Sequence, residues 1–76
     1  MKTSTILANN VKSLLLVNNW TIARLAKECG LSVVYISGIK SDSANPTLEV
    51  LEKIANAFKV TPQDLINPKM RKRKAA

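Results

Sequence analysis

The 76-residue sequence predicts an all-α protein of five short helices, and three observations carry that prediction. Apolar residues recur at three- and four-residue spacing, and no run sustains the two-residue alternation that a half-buried strand needs. Thr21, Ser32, Thr47 and Thr61 each stand just before a helical stretch, where a hydroxyl can accept a bond from an N–H that the helix leaves unpaired. The length allows one domain with a core for four or five helices, and no separate ligand-binding or catalytic domain.

The first helix is expected from about Thr5 to Val17, with Leu7, Val11, Leu14 and Leu15 on one stripe and Asn18-Asn19 as its stop. Thr21 caps a second helix from Ile22 to Cys29, and Gly30 supplies the backbone freedom for a tight turn. Ser32 caps a third from Val33 to about Lys40, after which the polar stretch Ser41 to Pro46 reads as a loop. Thr47 opens the fourth helix, whose Leu48, Leu51, Ile54, Ala55 and Phe58 follow helical spacing. Thr61-Pro62-Gln63-Asp64 begins a short fifth, with Thr at the cap, Pro in the first helical position and an acid where the helix dipole favours one. Pro68 ends it. Residues 1–68 are therefore expected to form the domain, and residues 69–76, charged and without an apolar face, a disordered basic tail.

Charge divides the chain the same way. Of the formal +7, Lys69, Arg71, Lys72, Arg73 and Lys74 supply five, whereas residues 1–68 carry seven basic and five acidic side chains, a net of +2. Cys29 is the single cysteine and histidine is absent, so neither a disulfide framework nor a zinc site is expected, and no cofactor is implied. The opening MKTSTILANN has only a three-residue apolar run, short of a secretory signal, and no segment reaches membrane-spanning length. A soluble, cytoplasmic protein is expected. Five scattered acids and a cysteine on the buried side of a helix assemble no acid–base pair or activated nucleophile, so an enzyme is not expected.

The segment Ile22 to Ile39 is the most informative. Two short helices joined by a three- or four-residue turn cross closely, which requires a small residue at the contact, a glycine in the turn and apolar anchors at fixed offsets. Ala26, Gly30 and the set Leu25, Leu31, Ile36 and Ile39 meet those demands. Spacing alone equally fits any helical corner inside a small bundle. Beyond spacing, the chain resembles the Cro and phage-repressor family of lambda-repressor-like helix-turn-helix regulators across residues 11–66. The resemblance rests on Trp20-Thr21, Leu25-Ala26, Gly30-Leu31-Ser32, Tyr35-Ile36-Ser37, Asn45-Pro46-Thr47-Leu48-Glu49, Leu51, Ala55, Val60-Thr61 and Leu65.

That resemblance implies a homodimeric repressor of transcription that binds double-stranded DNA at a palindromic operator. The second helix would span the DNA backbone and the third would enter the major groove with Ser32, Val33, Val34, Ser37 and Gly38 near the base edges. The helical wheel agrees, since Ile36 and Ile39 facing the core turns Val33, Val34, Ser37, Gly38 and Ser41 outward. The valines would press against thymine methyl groups, Ser37 would donate or accept at a base edge, and Gly38 would allow close backbone approach. Alternatively, Val33 or Val34 folds back onto the second helix or a partner subunit. Without Arg, Asn or Gln in this helix the strongest two-pronged base contacts are missing, so specificity would lean on methyl contacts and DNA shape.

Phosphate contacts are expected from the backbone N–H groups at Thr21 and Ile22 and from Arg24, Lys27, Lys40, Ser41 and Asn45, although each lysine alone also reads as a solvated surface charge. Relatives often place a phosphate-binding glutamine where this chain has Ile22, which leaves that contact open. They also commonly pair an arginine of the first helix with a glutamate ending the third; here those positions are Leu15 and Lys40, which avoids an unpaired buried charge and frees Lys40 for phosphate.

In the family, self-association tends to use the region near residues 58–68, which makes Phe58, Val60, Leu65 and Ile66 dimer candidates, each also readable as plain core. The apolar run Leu14 to Val17 exceeds what one helix buries; it is either a broad core face or a contact for a partner protein through Leu15, Leu16 and Val17. The second case would make the chain an antitoxin-like interaction module. The tail at residues 69–74 reads as a nonspecific DNA contact, a solvated terminus or a remnant of cloning.

Overall fold

The structure, a computed structural model, describes residues 2–70 and is built from helices alone among them. The elements are α1 (Thr3–Asn18), α2 (Ile22–Cys29), α3 (Val33–Lys40), α4 (Leu48–Phe58) and α5 (Pro62–Leu65). Four helix starts fall where the capping hydroxyls put them. Thr21, Ser32, Thr47 and Thr61 accept from the N–H groups of Arg24, Tyr35, Val50 and Asp64 at 3.1, 3.1, 3.2 and 3.1 Å. At α5 the Asp64 carboxylate returns the bond to the Thr61 N–H at 3.0 Å, which closes a capping box.

Helix α1 is longer than its spacing suggests: it starts at Thr3, without a side-chain cap, and runs to Asn18. Thr5, expected near its start, lies inside it, and its hydroxyl donates to the Asp42 carboxylate in the α3–α4 loop. Helices α1, α2 and α4 end alike, with Asn19, Gly30 and Lys59 in the left-handed region at φ 57°, 69° and 60°. In each case the next N–H reaches back to the last turn: Trp20 to Leu15 O at 2.9 Å, Leu31 to Ala26 O at 2.9 Å and Val60 to Ala55 O at 3.0 Å. These bonds satisfy carbonyls the helix would leave open and set the angle at which the chain departs.

The core gathers Val11, Leu14, Leu25, Ile36, Ile39, Ile54, Phe58 and Leu65, all essentially without exposed surface. Helix α1 packs on α3 and α5, and α2 bridges α3 and α4. One buried polar side chain holds the two ends of the chain together: the Asn10 amide of α1 donates to the carbonyls of Leu65 at 2.7 Å, Asn67 at 2.9 Å and Asp64 at 3.4 Å. The last turn of α5 has few carbonyl partners of its own, and Asn10 supplies them.

Three expectations need correction. Phe58 and Leu65 have no surface to offer a second chain, because Phe58 stacks on Trp20 at 5.1 Å between ring centroids and Leu65 closes the α1–α5 contact. Leu15 is buried as well, so of the apolar run only Leu16, 82% exposed, stands fully out, with Val17 between. The packed chain also continues past residue 68: Met70 is buried against the core, its apolar side chain drawn in from a charged neighbourhood. The remaining tail residues, Arg71 to Lys74, lie outside the described residues. Among the described residues no helix is long and apolar enough to cross a membrane.

Candidate nucleic-acid interface

The α2–α3 corner is tight because its crossing point carries almost no side chain. Ala26 is buried at the contact, and Gly30 takes a left-handed conformation that most residues adopt only with strain. Leu25, Ile36 and Ile39 fix the two helices to the core, while Leu31 packs on its edge. With the inner face of α3 so anchored, its first turn must point outward.

Val33 is 50% and Val34 82% exposed, and Ser37 lies exposed on the same face. At 82% exposure Val34 does not fold back onto α2. Gly38 has a different role from the one its position suggests. A Cβ there would sit 3.3 Å from the Ala44 Cβ and 3.4 Å from the Ser43 Oγ, so the close approach that glycine permits is to the chain's own loop. The Gly38 carbonyl accepts from the Ser43 N–H at 2.8 Å and from the Ser43 and Ser41 hydroxyls at 3.2 and 3.3 Å. Ser41, expected at phosphate, is thereby tied into this turn, and so is its 3.0 Å contact with Ser43.

Beside α3 a groove of about 460 Å³ runs between α1 and α2, lined by Lys12, Leu15, Leu16, Trp20, Thr21, Ile22 and Lys40. It brings the start of α2, whose first N–H groups have no intrahelical partner, next to the half-buried Lys40. Leu15 and Lys40 both line this groove, with no buried charge at residue 15. Lys12 joins the rim, and the sequence reading missed it; its spacing of four from Leu16 is the signal that places both on one side of α1.

The remaining candidates sit elsewhere. Arg24 lies over the Trp20 ring at 4.6 Å and bonds Glu28 at 3.1 Å, on the wall of another cavity with Cys29, Lys53, Asn56 and Lys59. Asn45 borders a third, with Thr3, Ser4, Leu7, Pro46, Leu51 and Ile66. Lys27 is exposed on α2, Val60 is half-buried and Ile66 is 38% exposed. Residues Arg24 and Asn45 are thus not gathered with Thr21, Ile22 and Lys40.

Two titrating groups flank the unit. The Thr5 and Ser4 hydroxyls, with help from Lys2 and Lys12, hold the Asp42 carboxyl below its usual range and keep it charged beside α1. Burial, reinforced by the Glu28 charge and opposed by Lys53, pushes the Cys29 thiol from 9.0 to about 11. Cys29 is therefore a neutral packing group at the end of α2, not a nucleophile.

Comparison with known proteins agrees with this geometry. Over 50 residues the chain is 40% identical to the control protein C.BamHI of Bacillus amyloliquefaciens, a match covering 66% of this chain and 62% of that protein. Over 63 residues it is 32% identical to a hypothetical transcription factor of Neisseria meningitidis serogroup B, covering 83% of this chain and 59% of the relative. The chain thus spans about three fifths of the length of each. No solved structure gives a significant match. The helix-turn-helix family profile matches residues 11–65, which take in α2, the Gly30 turn and α3 whole, and the chain belongs to the helix-turn-helix family of the Cro and phage-repressor type.

Proposed function

We propose that this protein is a transcriptional regulator that binds double-stranded DNA, with α3 in the major groove, and represses as a homodimer on a two-fold-symmetric operator. The observation that carries this reading is the outward face of the first turn of α3, where Val33 is 50% and Val34 82% exposed, beside a cationic rim at the start of α2. Phosphate would be met by the N–H groups at Thr21 and Ile22 and by Lys40 and Lys12, with Lys27 further along α2. Val33, Val34 and Ser37 would face base edges. The names of both relatives, a control protein and a transcription factor, support a regulatory role. Val60 and Ile66, which keep surface after folding, are the dimer candidates that remain.

Nuclease footprinting on DNA recovered from a random pool tests this. Two protected half-sites with centres about 34 Å apart are expected for one recognition helix per half-site. Lys40→Ala should weaken binding on all sequences alike and flatten the salt dependence by about 0.9 in log–log slope per phosphate lost. Absence of protection at low salt and high protein concentration would refute the proposal.

One observation favours a second reading. Leu16 projects beside an apolar groove rimmed by Lys12 and Lys40, a surface suited to an acidic partner segment with an apolar anchor. A stable hetero-complex abolished by Leu16→Glu, with DNA binding absent, would replace the first reading with this one.

A further inference from the structure

We infer that α3 selects DNA by a pyrimidine C5-methyl group, so that it takes thymine or 5-methylcytosine and discriminates against uracil and unmodified cytosine at the position it covers. The inference rests on the DNA-binding reading above and concerns what that site recognises.

Few groups on the exposed face of α3 are free to read a base. From Ser32 to Ile39 the chain reads Ser-Val-Val-Tyr-Ile-Ser-Gly-Ile, with no charged or amide side chain. The Ser32 hydroxyl accepts the Tyr35 N–H at 3.1 Å, and Gly38 is covered by Ala44 and Ser43. Tyr35 is partly buried against the core and the exposed Ser32 keeps only its hydroxyl donor, so Val33, Val34 and Ser37 make up most of the outward face. Residues 33 and 34 point about 100° apart on the helix, and Ser37 follows them by one turn, so the three span a single patch.

An isopropyl group brought against a base edge removes water and returns only apolar contact. The major-groove edges of adenine, guanine and cytosine present donors and acceptors with only ring C–H groups beside them, and those polar groups lose hydration to a valine without replacement. Thymine adds a methyl at C5, the one group there that gains from such contact. 5-Methylcytosine carries the same methyl at the same ring position. The two differ at C4, where thymine accepts through O4 and cytosine donates through its amino group. Ser37 suits both, because a hydroxyl rotates to donate or accept. The face therefore registers the methyl strongly and the C4 substituent weakly. Binding should consequently respond to cytosine methylation.

The test uses the full chain and duplexes selected from a random pool. Each thymine is replaced singly by uracil, and each T·A pair in turn by C·G or 5-methylcytosine·G. At one position or more per half-site, uracil should weaken binding about four-fold, or about fifteen-fold when both half-sites lose the methyl. At that position 5-methylcytosine·G should bind about four-fold tighter than C·G. Val33→Ala or Val34→Ala should shrink the uracil penalty, read as the ratio of affinities for the thymine and uracil duplexes. Val34→Thr, which keeps a methyl, should retain part of it. Specific binding that uracil never weakens, or methyl-sensitive positions where 5-methylcytosine·G is no better than C·G, would overturn the inference and leave DNA binding standing. Failure of the pool to yield any bound duplex would overturn the DNA-binding reading and the inference with it.

Discussion

Asn10 and Val34 are each on the wrong side of the molecule by polarity, one an amide in the interior and the other an isopropyl group in water. Their surroundings differ in kind. The Asn10 amide meets three carbonyls at the α1–α5 contact, so its burial is answered inside the chain and serves the fold. Val34, at 82% exposure, is packed against no part of the core. A break in the inside–outside pattern that the fold itself satisfies is structural, whereas one it leaves unanswered points to a partner.

The sharpest way to break that contrast is at Asn10. Asn10→Asp keeps the shape but replaces both donors with acceptors facing the carbonyls of Leu65 and Asn67 at 2.7 and 2.9 Å. A loss of about 3 kcal/mol is expected, read from the midpoint of urea unfolding at constant slope, because buried acceptors lose their only side-chain donor. A loss below about 1 kcal/mol would mean that water replaces the amide easily, and Asn10 would then be incidental.

Cys29 gives a smaller interior test through pH. Its folded pKa of about 11 lies above the ordinary 9.0, so the thiol contributes stability that is complete below pH 9.0 and drains away as pH rises towards 11. The loss should be on the order of 1 kcal/mol by the end of that window, since the sulfur borders a cavity open to water. Cys29→Ala, compared with the parent over the same range, should remove this part of the decline. At neutral pH the folded thiol should resist a disulfide reagent that labels it at once in urea; equal labelling rates would contradict burial.

The difference between the two residues also marks what the sequence could disclose. Helix starts were legible because a Ser or Thr hydroxyl satisfies a neighbouring N–H, a purely local transaction. The α2–α3 corner was legible too, since Ala26 and Gly30 act within a few residues of each other. Asn10 was not, as its acceptors lie 54 to 57 positions away and nothing local distinguishes it from Asn9. For the same reason Thr5 reads locally as a helix start although its partner is Asp42. Gly38 and Ser41 face outward on the helical wheel, which does not show Ala44 and Ser43 lying against Gly38 or the bond of the Ser41 hydroxyl to the Gly38 carbonyl. Phe58 and Leu65 show the related limit for apolar residues: spacing marks them as buried against something, and only packing tells whether that is the chain itself or a second one.

Val34 supplies the smallest expected effect, and its smallness is the point. Val34→Ser removes the apolar group from a first helical turn where it is 82% exposed, so urea stability should move by less than about 0.5 kcal/mol. What small change occurs should come from helix propensity, in which serine and valine are nearly equal. The same substitution should alter which base pair is preferred under α3, because it trades an apolar contact for a hydroxyl. A residue whose loss leaves folding untouched and changes DNA choice belongs to the interface. If Val34→Ser instead cost 1 kcal/mol or more of stability with base preference unchanged, the side chain would be packed in solution, and its assignment to the reading face would pass to Val33 and Ser37.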